Sequence, residues 1–388
     1  MTSLLSRRQL PGLSQATRVL ATWDRLGRLG RAVTSDLDLA RSIGPRAMFD
    51  RHEDAQATAL LLHQRRESVY REIWVNAAIC VGAQLTPMGG GLSAISRDGR
   101  TTFVRQRHVM LDSRLAVSLA DDKVRTQELL AAAGLPVPRR VVSRFPDLAA
   151  ADELRMGAAG PVVVKPAFGT SGGFGVTCGI STPDDLVRAC LHATRWDPHV
   201  MVEEQGSGIE YRALVLDGEV IDVIRREPPS VLGDGMSSVG ELVAAENERR
   251  RTSNGRLGYS HVAVDLDCVL ALRRQGLRLR SVPARGARIA LKSSANDGGP
   301  EETETVRAAP AELVRAAVAA SRAVRLRLAA VELITPDPTV PLASAGGVVI
   351  EVNGEPGLHY HYQVQEAARA TPVASRILER LLAAPSVQ

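Results

Sequence analysis

Apolar and polar positions follow two periods along the chain, and each period marks an element. Tyr70 to Ala83 is an apolar, helix-like run that breaks at Gly89-Gly90-Gly91. From Leu92 to Arg105 the pattern switches to alternation around Asp98-Gly99, a dipeptide suited to a two-residue hairpin turn. Ser113 to Ala133 predicts one helix, closing at Gly134 before Pro136-Val137-Pro138. Strands are predicted at Arg139–Ser143, Val162–Lys165 and Val200–Glu203. Between the last two a helix opens at Thr182-Pro183-Asp184-Asp185, with Thr182 as its N-cap. Tyr211 to Ile224 reads as a second hairpin, turning at Asp217-Gly218, and Ser238 with Glu241 forms a capping box for a helix reaching Arg250. A helix over Pro310–Leu326 and strands over Ala329–Ile334 and Val348–Val352 complete the pattern. Residues 1 to about 65 read as helical and polar, with Arg25, Arg28 and Arg31 on a solvated face. The mixture is α+β or α/β, without an internal repeat.

Composition narrows the class. A chain of 388 residues, 45% apolar and 23% charged, is globular and long enough for two or three units with their own cores. Aromatics make up only 3%, so those cores are built from Leu, Val and Ala. A formal charge of +5 and a pI near 9.3 favour anionic ligands such as nucleotides or acidic substrates. The arginines are scattered and few aromatics sit among them to stack on bases, which argues against a nucleic-acid partner. Four cysteines show no ligand spacing and read as small buried hydrophobes. His108, His192, His199 and His261 have no partners nearby in sequence and read as surface or core histidines. No apolar run approaches a membrane span, and Met1 to Arg8 does not lead a signal peptide, so the expected location is the cytoplasm. A homodimer is the default expectation for assembly. No GxSxG or papain-type motif is present, which speaks against a triad hydrolase.

Three segments carry chemistry. Only three lysines, Lys123, Lys165 and Lys292, stand among 48 basic residues. Lys165 ends an apolar strand just before Gly169-Thr170-Ser171-Gly172-Gly173-Phe174-Gly175. Glycines let backbone N–H groups wrap phosphate oxygens, and a lysine supplies a compact charge beside them. A flexible surface loop is the plainer alternative, since the spacing matches neither a P-loop nor a Rossmann turn. Glu351 and Asn353 lie two apart on one predicted strand and Glu332 on its neighbour, a set of oxygen donors suited to Mg²⁺ bridging nucleotide phosphates. An exposed polar sheet face would show the same residues. Glu203-Glu204-Gln205-Gly206 followed by Glu210 could bind adenine and ribose or form an ordinary acidic loop. Arg226 closes the second hairpin, where a guanidinium could stabilise an acyl phosphate.

These segments occur in an order that resembles the ATP-grasp ligases, closest to the cyanophycin synthetase and fused glutathione synthetase branch. The resemblance rests on Leu119–Thr126, Val163-Val164-Lys165-Pro166 with its glycine loop, and Arg226–Gly235. Leu291-Lys292-Ser293-Ser294-Ala295-Asn296 and Glu351–Leu358 with His361 complete it; together these segments cover roughly residues 110–365. The implied fold is two α+β subdomains clasping ATP, residues 113–200 and 201–388, preceded by an N-terminal α/β region over residues 1–112. The resemblance implies that Lys123, Lys165 and the loop Gly169, Thr170, Ser171, Gly172, Gly173 and Gly175 bind nucleotide phosphates. It places adenine at Glu203, Glu204, Gln205 and Gly206 and ribose at Glu210. By the same resemblance Glu332, Glu351 and Asn353 are expected to hold Mg²⁺ or Mn²⁺, and Arg226, Lys292 and Asn296 to face the transferred phosphoryl group. Two departures stand out: Glu332 where Asp is commoner, and Lys292 where Arg is usual. The implied activity is ATP-dependent amide-bond formation between an amino acid or small peptide and an amine, by a stand-alone biosynthetic ligase. A nucleotide-binding regulator without chemistry, or a ligase acting on a ribosomal peptide, are the alternatives.

Overall fold

The computed structural model describes residues 65–170, 172–253 and 261–383. The polar N-terminal stretch and Ser171 lie outside them. The described residues fall into two compact units, residues 139–205 in one and residues 65–138 with 206–383 in the other.

The larger unit begins with a helix over residues 65–80 (α1), followed by an antiparallel meander of β1 (Gln84–Gly89), β2 (Leu92–Arg97), β3 (Arg100–Arg105) and β4 (His108–Val109). Asp98 and Gly99, at φ 51° and 74°, make the expected β2–β3 turn. The sequence pattern does not announce β1, because Pro87 interrupts it; β1 is an edge strand, where a missing amide donor is tolerated. The single helix expected over Ser113–Ala133 is two: α2 (Arg114–Asp121) and α3 (Lys123–Ala132). Asp122 separates them in an extended conformation, its carboxylate accepting from the Val124 and Arg125 amides at 3.1 and 3.0 Å. Aspartate competes with helix propagation through such a bond and favours the cap.

The smaller unit holds β5 (Arg140–Arg144), α4 (Ala149–Gly157), β6 (Val162–Pro166), β7 (Thr177–Ile180), α5 (Pro183–Ala193) and β8 (His199–Glu204). Its antiparallel sheet runs β5-β8-β6-β7. Every residue of β6 is buried, and Thr182 caps α5 as expected.

The chain returns to the larger unit with β9 (Ile209–Leu216), β10 (Glu219–Arg226), β11 (Ser230–Leu232), α6 (Val239–Thr252) and α7 (Leu266–Arg274). There follow β12 (Arg288–Ala290), β13 (Thr303–Thr305), α8 (Ala311–Ala323), β14 (Leu328–Thr335), β15 (Val348–Asn353) and α9 (Val373–Ala383). The main sheet runs β13-β10-β9-β14-β15, antiparallel throughout. Alternation gives this sheet two faces. Ala213, Val215, Ala329, Val331 and Leu333 pack on one side with Leu130 of α3 and Leu313, Ala317 and Ala320 of α8. On the other side Leu214, Leu216, Leu328 and Ala330 share a core with Tyr70, Trp74, Ile95 and residues of α9. Continuing along that second face, the strands change from apolar to charged at Arg212 and Glu210. A separate small core joins β11 and β12 to α6 and α7.

Candidate active site

The charged end of the second face is built by strand register. Glu210 on β9 stands opposite Arg226 on β10, and Arg212 stands opposite Glu332 on β14. Glu332 in turn faces Glu351 on β15, with Asn353 two residues further along. A bulge at Ile350 lets Val349 and Val352 both reach the core while Glu351 keeps its place opposite Glu332. Arg212 forms a buried ion pair with Glu332, while Arg226 lies 2.8 Å from Glu210 and 3.6 Å from Glu332. The Asn353 amide donates to Glu332 at 3.4 Å.

Burial pushes the Glu210 carboxyl up to about 7, against the pull of Arg226. For Arg226, burial opposes the charge, but Glu210 and Glu332 outweigh it and raise the guanidinium above its ordinary value. Arg226 also donates to the Ala295 carbonyl at 3.0 Å, which ties β10 to the segment holding Lys292 and Asn296. Arg212 is the member that sequence reasoning did not single out. Its signal was its position two residues beyond Glu210, on the same strand face.

The fit for a divalent cation can be read from the donor set. All three contacts to Glu332 fall on Oε1, and Asn353 uses its amide nitrogen, so Glu332 Oε2 and Asn353 Oδ1 remain as hard oxygen donors beside Glu351. Among the described residues, no three His, Cys, Asp or Glu side chains are grouped to hold a metal unaided. The residues fit an ion that shares its coordination with a ligand's oxygens.

Lys292 is buried and paired with two carboxylates, Asp265 at 2.7 Å and Asp297 at 3.0 Å. Burial alone would lower its pKa, but Asp265 and Asp297 more than reverse that and hold it above the usual value. The Asn296 amide donates to Ser294 Oγ at 3.3 Å. Lys123 begins α3 directly after the Asp122 cap. His108, expected to lack a partner, lies 2.7 Å from Glu355.

In the smaller unit the Lys165 ammonium, at the end of β6, donates to Glu203 Oε1 at 2.7 Å. One of its three donors is thereby used. Gly169, Gly172, Gly173 and Gly175 all have positive φ, so the loop follows a path closed to most side-chain-bearing residues. At Gly175 there is also no room, since a Cβ would come within 2.7 Å of Pro166 and Trp196. Glu204 is paired with Arg139, and Gln205 Oε1 accepts from the Gly179 amide at 2.7 Å. Both side chains hold the end of β8 in place.

A cyanophycin synthetase from Nostoc sp. is 35% identical over 251 residues, 64% of this chain and 27% of that protein. The bifunctional glutathione biosynthesis protein of Mannheimia succiniciproducens is 35% identical over 262 residues, 64% of this chain and 34% of that protein. A bifunctional glutathione synthetase from Pasteurella multocida matches in structure with a TM-score of 0.50 at 27% identity, over 77% of this chain and 42% of the other. The fold is that of the ATP-grasp ligases. No protein-family model matches the chain. Its matched region spans roughly a quarter to a third of the length of these curated ATP-grasp relatives. No helix among the described residues is long and apolar enough to cross a membrane.

Proposed function

We propose that the chain is an ATP-dependent carbon–nitrogen ligase. It would phosphorylate the carboxylate of an amino acid or small peptide, then let an amine displace phosphate from the acyl phosphate to form an amide. The products would be the amide, ADP and inorganic phosphate. The observation that carries this reading is the polar face where Glu210, Arg212, Arg226, Glu332, Glu351 and Asn353 converge on four adjacent strands. Oxygen donors there stand beside guanidiniums, an arrangement suited to a phosphoryl group shared with a cation. The ATP-grasp relatives, named for glutathione and cyanophycin synthesis, support it.

Mg²⁺, or Mn²⁺ in its place, would be held by Glu332, Glu351 and Asn353, and when bound it neutralises phosphate oxygens. Arg226 is charged and fixed at its edge by Glu210, so it can meet the negative charge on an acyl phosphate without reorganising. Lys123 and Lys165 carry the remaining phosphate charge. The N–H groups of the loop Gly169–Gly175 cover the phosphates and exclude water from the acyl phosphate. With the Glu204 and Gln205 side chains committed, the segment Glu203–Gly206 offers its backbone to adenine and Glu210 its carboxyl to the ribose. Lys292 and Asn296 lie on the segment that Arg226 anchors and complete the phosphoryl surroundings.

The test is ADP formation by the purified full chain across pairs of amino acids and short peptides, with mass spectrometry of the product. A productive pair yields a mass equal to the sum of the substrates less one water. MgATP binding without pair-dependent ADP release across the panel would overturn the ligase reading.

A further inference from the structure

Both guanidiniums of the polar face stand over one aromatic ring. Arg212 Cζ and Arg226 Cζ each lie 5.0 Å from the ring centre of Tyr360, in the turn Leu358–His361. An aromatic face attracts a guanidinium without neutralising it, so the arginines keep their charge for a ligand. Their carboxylate partners fix one edge of each fork, and the ring restrains its plane. Tyr360 is itself braced. His359 tilts against it with ring centres 4.0 Å apart, and the Tyr70 hydroxyl of α1 lies 3.3 Å from His359 Nδ1. The same hydroxyl oxygen accepts from the Leu358 amide at 3.0 Å, so one phenol holds both the backbone of the turn and its histidine. A run of contacts thus joins α1, which lies before the region resembling ATP-grasp ligases, to the two arginines.

We infer that Tyr360 is a positioning residue, braced by Tyr70 through His359, that sets the aim of Arg226 and Arg212 at the phosphoryl group. The inference rests on the ligase reading above. Loss of the ring leaves Arg226 charged and held in plane by Glu210 and the Ala295 carbonyl, but without a surface against the face of its fork, a misalignment felt in the chemical step more than in nucleotide binding.

The experiment compares the full chain with Tyr360→Phe, Tyr360→Leu, Arg226→Lys and the Tyr360→Leu/Arg226→Lys double variant. Each is followed by steady-state ADP release and by thermal unfolding without nucleotide. Tyr360→Phe keeps the ring and should hold kcat within about twofold, whereas Tyr360→Leu should lower kcat about tenfold with KM for ATP within about twofold. Added to Arg226→Lys, the Leu change should cost less than it does alone, because one of the two planar forks it aligns is already gone. Tyr70→Phe should lower kcat in the same direction by less. A fall in Tm at Tyr360→Leu with kcat unchanged would reduce the ring to a structural contact and overturn the inference, as would additive losses in the double variant. If Tyr360→Leu does not fold, Tyr360→Met takes its place with a flexible side chain of similar bulk. Absence of ADP release by the unaltered chain would strike the ligase reading instead. The ring's hold on Arg226 is then judged by unfolding alone, where coupled Tm losses keep it and additive ones remove it.

Discussion

Glu332 gathers Arg212, Arg226 and Asn353 on one carboxylate oxygen, and on the ligase reading proposed above the other would meet a cation. Glu351 stands opposite Glu332 in the strand register, at a position the ligase reading gives to the cation. On that reading Glu351→Gln is expected to lower ADP release at least about a hundredfold, while Tm moves by only a few degrees. Retained turnover at saturating Mg²⁺ would remove Glu351 from the cation site. Lys292 presents the opposite case, being held by Asp265 and Asp297. Lys292→Met strands two partly buried carboxylates and should destabilise the fold by about 3 kcal/mol, read as a lower denaturation midpoint. The residue types at both positions were legible in the sequence, because oxygen donors on strands and a rare lysine stand out. Their partners were not. Nothing near Lys292 in sequence points to Asp265, 27 residues away, and the pairing exists only once α7 folds onto β12.

Elements divide by whether local chemistry or tertiary contact fixes them. The hairpin at Asp98-Gly99, the cap at Thr182 and the capping box at Ser238 were readable because each is complete within a few residues. The strands β11, β12 and β13 have three residues each, too few to show a period, and exist through their pairing. The split between α2 and α3 depends on Asp122. Asp122→Ala removes its two cap bonds and is expected to cost about 1 kcal/mol, seen as a lower Tm. A larger effect is expected where β8 passes into β9. Gly208 has a φ of 109°, and a Cβ there would lie 2.3 Å from the backbone of Thr335 and Pro336. Gly208→Ala should destabilise by on the order of 3 kcal/mol and weaken ATP binding in calorimetry, since the change displaces the start of the strand carrying Glu210. Unchanged Tm would show that β14 can yield at this point.

At the scale of the whole molecule, a buried histidine links stability to pH. Burial lowers the His359 pKa well below 6.5, with Arg212, Arg66, His361 and Arg226 adding to the effect. The unfolded chain takes up this proton below about pH 6.5, while the folded chain does not until much lower pH. Stability from this group is therefore present above pH 6.5 and lost as pH falls, by up to about 1.4 kcal/mol per unit. His359→Gln should flatten the slope of denaturation midpoint against pH between about 6.5 and 5; an unaltered slope would assign the acid loss elsewhere. The ATP-grasp fold was legible at this scale because its motifs recur in order. The joining of residues 65–109 to the main sheet through Tyr70, Trp74 and Ile95 was not, since it depends on packing between residues more than a hundred positions apart.

The scarcity of lysine has a practical side. Lys165 and Lys292 are 8% and 5% exposed, whereas Lys123 is only half-buried at the start of α3. Among the described residues, an amine-directed acylating reagent should reach Lys123 well before the other two lysines. Peptide mass spectrometry of briefly acetylated protein, with and without MgATP, would turn that one side chain into a footprint of nucleotide occupancy that needs no introduced probe.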